Sequence, residues 1–517
     1  MKIIENSRAL LCSILLVTSF CHAAVLTWDP GHNTTGSDGI GTWSTGATVT
    51  NWANGTSDQA WANGSDAVIG VGGTGAIISL KSAVTVGNVT FNGGAGYSVS
   101  QGSSGNNLTL NGPTVTVNAN ATFSCIINGT GWTQEGTGTL TLAGSTSYPD
   151  GYSGLVTVDT GTLLLSKSKI TGNGGVSIPG SLTINSNGTV RLGNTDQMVT
   201  AANINSAIVT VNGLLDTTNQ SDTIGAIAGG GSITIGTGTL TLGSAVNASS
   251  FSGVVSGGGT LVVAAGTLAM TGGGVLSNAT INVASGATLD VTAAAGATLT
   301  LTNQTLKGNG TVTGAVIVGD GATLAPGNSA IGAINFSSTL ALTTAGTNVM
   351  EINKGTATND LATAVTSITY GGTLVINQVD TNLMIGGEVY KLFSAPSYLG
   401  TFANIVYPPL PSGLTWTNTL SSNGSIEVAG SIVIPPPAGS IVITNVTVSG
   451  TSFIISGTSD PTNANTGFTV YGTANLTTPL ASWSNIGPGT FDANANFSVA
   501  VPYNSAAPAN FFIIHSP

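Results

Sequence analysis

The sequence predicts an all-β protein built from stacked repeats, and three observations carry that expectation. Gly136 to Lys167 holds three short alternating runs, Leu140-Thr-Leu142, Val156-Thr-Val158 and Leu163-Leu-Leu165. Each shows the period of two that marks a half-buried strand. The unit then returns: GTGTLTL spans Gly136–Leu142 and again Gly236–Leu242, and Phe251-Ser-Gly253 stands where Tyr152-Ser-Gly154 stood. Self-similarity of this kind points to stacked repeats rather than one closed core. Composition agrees: 41% of residues are hydrophobic and 6% charged, with 74 glycines among 517 residues, which suits many short strands joined by tight turns.

The pattern GxGTLTL, then aromatic-Ser-Gly, a valine run and GTL, resembles the autotransporter-associated β-strand repeat of bacterial secreted passenger proteins. One full copy lies at Gly136–Lys167, with degraded copies at Gly236 and Gly259 and looser rungs from about Val86 to Leu324. The resemblance implies a right-handed parallel β-helix. It implies little about chemistry.

Composition also excludes. Glycine follows no Gly-X-Y period and prolines number 18, which rules out collagen. Apolar residues are too plentiful for a disordered chain. With 9 basic and 20 acidic side chains the formal charge is −11, so few cations are available to neutralise phosphates and nucleic acid is not an expected partner.

In chain order, residues 1–23 read as a secretory signal peptide: Lys2 and Arg8 precede an apolar run, Ala9 to Phe20, and small residues around Ala23 offer a cleavage point. An uncleaved anchor, or a lipid anchor at Cys21, is the alternative, although Phe20 sits where a lipoprotein needs a small residue. Cleavage after Ala23 leaves Cys125 as the one cysteine, so no disulfide framework exists, and its strand context ATFSCIING suits a buried, inert thiol. No later segment is long and apolar enough to span a membrane as a helix.

Residues 24–67 form an N-terminal segment carrying Trp28, Trp43, Trp52 and Trp61. It is read as a cap over the open end of the solenoid. The alternative is a carbohydrate platform on which the same four tryptophans stack sugar rings. Residues 68–342 hold the repeats, with GTL-like or GATL-like starts often 19 to 21 residues apart, as from Gly161 to Gly180 and from Gly238 to Gly259. A turn of roughly 20 residues gives roughly 13 turns, or about 60 Å at ~4.8 Å per strand layer. Residues 343–430 are read as a β-rich closing cap. Residues 431–440 are a linker, because Pro435, Pro436 and Pro437 cannot sit in a central strand. Residues 441–517 are expected to form a small β-sandwich-like module. They match no outer-membrane barrel, which needs many ten-residue strands, so the likeness to autotransporters covers the passenger only.

No catalytic set emerges. Arg191 could meet Asp196 or Asp216 from an adjacent turn, and Asn194-Thr195-Asp196 matches one of the four motifs of polygalacturonase-like hydrolases, while the DD, GHG and RIK motifs are missing. His32 and His515 lie at opposite ends of the sequence, which leaves zinc or histidine catalysis little to use. Thr35 to Gly39 resembles a fragment of a calcium turn without the nonapeptide repeat. The expectation is therefore a non-enzymatic secreted or cell-surface structural or adhesin-like protein with no cofactor or metal. Extracellular polysaccharide or other cell-surface components are the expected partners. The alternative is a polysaccharide-binding or pectate-lyase-like polysaccharide-cleaving protein.

Overall fold

The computed structural model describes residues 24–516 apart from 94–95, 104, 147–148, 153, 170–174, 329, 432–439 and 504–508. The expected signal peptide and the three linker prolines therefore lie outside the described residues. The chain divides into two compact units, one reaching Pro409 and taking in Trp416–Ala429, the other comprising Gly430–Pro517 with Leu410–Thr415.

The larger unit is a parallel β-solenoid. A full turn offers three short strands that stack on their counterparts in the next turn, giving three faces, although the third is reduced to an isolated bridge at Ile178 and Met198. Thr311–Thr313, Ala315–Val318 and Thr323–Pro326 make one such turn. The first face runs without a break from Val25–Trp28 to Phe393–Ser394. Between Asp66 and Phe336 it has 13 strands, the number of turns expected from the repeat length.

Alternation along each strand sends Leu, Val and Ile inward, where they form rows. One row reads Leu240, Leu261, Ile281, Leu306, Leu324, then Asn348, Leu374 and Ile405, every member in register with the next. Its steps are uneven, from 18 residues (Leu306 to Leu324) to 31 (Leu374 to Ile405). The backbone ladder keeps a constant spacing, so surplus residues are pushed into the loops between faces. Parallel pairing also runs past Leu342: Thr347–Asn353, Thr373–Gln378 and Asn404–Val406 extend the third face. The segment 343–430, expected as a closing cap, thus also adds rungs, whose longer turns hide their repeat, before and between its closing elements.

Glycine in the repeat motif has a steric cause. A Cβ on Gly154 would lie 1.4 Å from the carbonyl oxygen of Thr130, and one on Gly253 would lie 1.9 Å from that of Gly231. Both glycines let one turn's backbone settle against the turn before, while Tyr152 and Phe251, the aromatic residues of the same motif, are buried.

Both ends of the stack are closed. At the start, Val25–Trp28 pairs parallel with Asp66–Ile69 on one side and antiparallel with Trp52–Ala53 on the other, and Trp52–Ala53 pairs in turn with Asp58–Gln59. The hairpin covers the edge that the first rung would otherwise present. At the far end, Tyr370 stacks on Tyr398 at 5.9 Å and meets Phe393 and Phe402 at 5.2 and 4.9 Å. A one-turn helix, Leu420–Asn423, follows, its Leu420 carbonyl accepting the Tyr370 hydroxyl at 3.2 Å. Ser425–Gly430 then returns antiparallel to Val389–Lys391.

The smaller unit has two three-stranded antiparallel sheets. Ser452–Ser459 lies between Ile441–Ser449 and Asn496–Pro502 in one, and Gly467–Thr473 lies between Ser484–Thr490 and Phe511–His515 in the other. Ile455, Phe468, Val470, Phe491, Phe497 and Val501 form its core. Ser484–Thr490 is a strand despite its Gly487-Pro488-Gly489. It is tolerated on a sheet edge, where the amide that proline lacks is not needed.

Candidate functional site

The four tryptophans come together, but inside the fold. All are buried. Trp52 lies 5.2 Å from Trp28, 4.8 Å from Trp43 and 4.7 Å from Trp61, in edge-on or tilted contact. Such pairs prefer this geometry to a flat stack. The Trp28 indole donates to the Gly39 carbonyl and the Trp61 indole to that of Thr85. The rings face one another and the first rung, so none offers solvent an open face for a sugar. Their arrangement is that of a plug beneath the N-terminal hairpin.

The motifs weighed for chemistry resolve into local structure. The Arg191 Nε pairs with Asp216 Oδ2 at 3.0 Å across adjacent turns, with 54% of the arginine side chain exposed. Asp196 sits apart from it, in a left-handed turn (φ 54°) whose amide donates to the Ser221 carbonyl. Asn194 donates to the Lys167 carbonyl at 3.1 Å. The calcium-like turn is spoken for by protein donors. Burial works against ionisation of Asp38, yet the Tyr97 hydroxyl at 2.6 Å and the amides of Val71 and Gly73 hold its carboxyl below the ordinary value. His32 meets Asp58 at 3.1 Å on the surface. Among the described residues no three His, Cys, Asp or Glu side chains gather as a metal would require.

What the sequence did not reveal is a chain of buried polar groups inside the solenoid. Lys167 and Asp150 are both fully buried, with Nζ to Oδ1 at 2.6 Å. The same Nζ donates to the Cys125 carbonyl at 2.7 Å, and the Ile127 amide donates to Asp150 Oδ1 at 2.9 Å. Burial pushes the Asp150 carboxyl up, to about 6, against the pull of Lys167, and raises the neighbouring Cys125 thiol to about 12. Gln197 continues the chain, its side chain exchanging hydrogen bonds with the Lys167 backbone at 2.9 Å in both directions. Asp222 follows, taking the amides of Gln197, Met198 and Thr223. Burial raises Asp222 to about 8 despite those donors. Asp360 is a separate case of the same kind, raised by burial to about 7 while accepting the amides of Gly332 and Glu351. The lone signal in the sequence was the rarity of charge, which makes any lysine or aspartate in an apolar run conspicuous.

On the outside, the third face carries a column of threonines. Thr239, Thr260, Thr280, Thr305, Thr323, Thr347 and Thr373 occupy successive turns in exact register, and Asn404 follows. All seven are half-buried. At ~4.8 Å per layer the column is a straight array of uncharged hydroxyl positions about 30 Å long. Thr239, Thr260 and Thr373 belong to GTL triplets and Thr323 to GATL, while Thr280, Thr305 and Thr347 stand in ATI, QTL and GTN, so strand register rather than the motif alone builds the array. In the smaller unit, a cavity of about 410 Å³ is lined by Tyr471, Leu480, Ala481, Ile513 and His515.

Neither a protein-family model nor a curated protein matches this chain.

Proposed function

We propose that the protein is a secreted or cell-surface β-solenoid that acts as a structural or adhesin-like element, without a catalytic centre. The observation that supports this best is the threonine column, an uncharged array that runs through seven successive turns. Such a surface suits many weak contacts along an extended polymer rather than one small substrate, since contacts held on a single rigid body sum without a further ordering cost. The resemblance to passenger repeats and the signal-like residues 1–23 support export. Among the described residues, no helix is long and apolar enough to cross a membrane.

The alternative, a polysaccharide-active protein, draws on the open cavity beside Tyr471 and His515 rather than on the tryptophans. Sedimentation of the purified protein with insoluble cell-wall and plant polysaccharides tests both. Binding without release of reducing or unsaturated ends, weakened by replacing Thr280, Thr305 and Thr323 with lysine, is the expected result. Turnover of a polymer that disappears on Asp196→Ala would overturn the non-enzymatic reading.

A further inference from the structure

We propose that Lys167 and Asp150 are joined in the folded protein by an intramolecular isopeptide bond between Nζ and Cγ. The two groups are already in contact, at 2.6 Å from Nζ to Oδ1, and neither side chain is exposed to water. An ion pair held in an apolar wall carries the desolvation of both charges, and its attraction offsets that only when every lone pair and proton is satisfied. Here one is not: Asp150 Oδ2 is buried and has no partner.

Condensation removes that defect and keeps everything else. The amide formed would retain one N–H, still aimed at the Cys125 carbonyl, which Nζ reaches at 2.7 Å. It would retain Oδ1 as the carbonyl oxygen, still accepting from the Ile127 amide at 2.9 Å. The oxygen expelled is the unpartnered one. Both buried charges vanish together.

The step balances without a co-reactant. A proton passes from the ammonium to the carboxylate, which leaves a neutral amine beside a neutral acid. The nitrogen lone pair attacks Cγ and the C–N bond forms. The Cγ–Oδ2 bond then breaks, and Oδ2 leaves as water with two of the three protons first carried by Nζ. Fixed contact of the amine with the carboxyl replaces a bimolecular encounter, which is worth several orders of magnitude in rate. The product ties residue 150 to residue 167 and so closes a ring that contains the Tyr152-Ser-Gly154 motif and the strand Val156–Leu165.

Peptide mapping of the folded, natively expressed protein after denaturation tests the bond. Trypsin cuts after free lysine, so a linked Lys167 should be skipped. The expected product is Ser82–Lys169, lighter by one water than its sequence requires. Chymotrypsin, cutting between the two residues, should give a branched pair rather than two separate peptides. Lys167→Arg keeps the positive charge and lacks the amine nucleophile, and should restore the full mass. A Ser82–Lys167 peptide of unmodified mass from the parent protein would overturn the proposal whether or not the variant folds. Loss of water that persists in Lys167→Arg would also overturn it, since Asp150 precedes Gly151 and could then have cyclised on that residue's amide instead.

Discussion

Asn348 stands in the interior row between Leu324 and Leu374, and neither atom of its side-chain amide has a hydrogen-bond partner. A buried amide without partners costs about 1–3 kcal/mol. Replacing it with the residue its neighbours use, Asn348→Leu, should therefore raise stability by about that amount, read as a higher Tm. An unchanged or lower Tm would mean that the row has no room for leucine. Gly253 makes the opposite case. Its missing Cβ is what lets Phe251 and the backbone of Gly231 pack together. Gly253→Ala should lower stability by about 1–3 kcal/mol, the usual cost of overpacking, with a clear drop in Tm as the readout. Alternation in Thr347–Asn353 already places Asn348 on the same side as Met350 and Ile352. That much was legible; the lack of any partner depended on what the adjacent turns supply.

At the scale of elements, the N-terminal hairpin and its tryptophans decide how the stack begins. Trp52 touches Trp28, Trp43 and Trp61, so Trp52→Ala should destabilise by about 3–5 kcal/mol through the cavity it leaves. Deleting residues 24–65 removes the first rung and the hairpin together, which leaves Asp66–Ile69 with an open parallel edge. Light scattering should then report concentration-dependent association while strand content persists by circular dichroism. A deletion variant as monomeric and heat-resistant as the parent would refute the capping role. The Arg191–Asp216 pair should matter far less. Its arginine is more than half exposed, and Arg191→Ala should change stability by less than about 1 kcal/mol.

For the whole molecule, the buried aspartates set a pH dependence. Asp222 and Asp360 titrate near about 8 and about 7 in the folded chain, against an ordinary 3.8. Their protonated forms are thus favoured by folding. Their contribution is fully present below about pH 4 and is lost as pH rises through the folded values, because the native state holds more protons than the unfolded chain in that window. Tm should accordingly fall as pH is raised from about 5 to about 8, and Asp222→Asn should flatten the upper part of that slope. A Tm that rises with pH over this window would show that the amides around Asp222 hold it ionised after all.

Period-two runs, a recurrent GTL and glycines about 20 residues apart were sufficient to determine strand content, stacking and the approximate number of turns. They also marked two ends that differ in composition from the middle. All of these follow from local alternation and turn chemistry, which act over a few residues. What the tertiary structure alone decided was register. Turns vary from 18 to 31 residues, so backbone pairing, and not sequence distance, selects which side chains meet. It aligned seven threonines, three of them outside any GTL or GATL triplet, into one column and turned four tryptophans inward onto one another. It also set Lys167 against Asp150 where water cannot reach either.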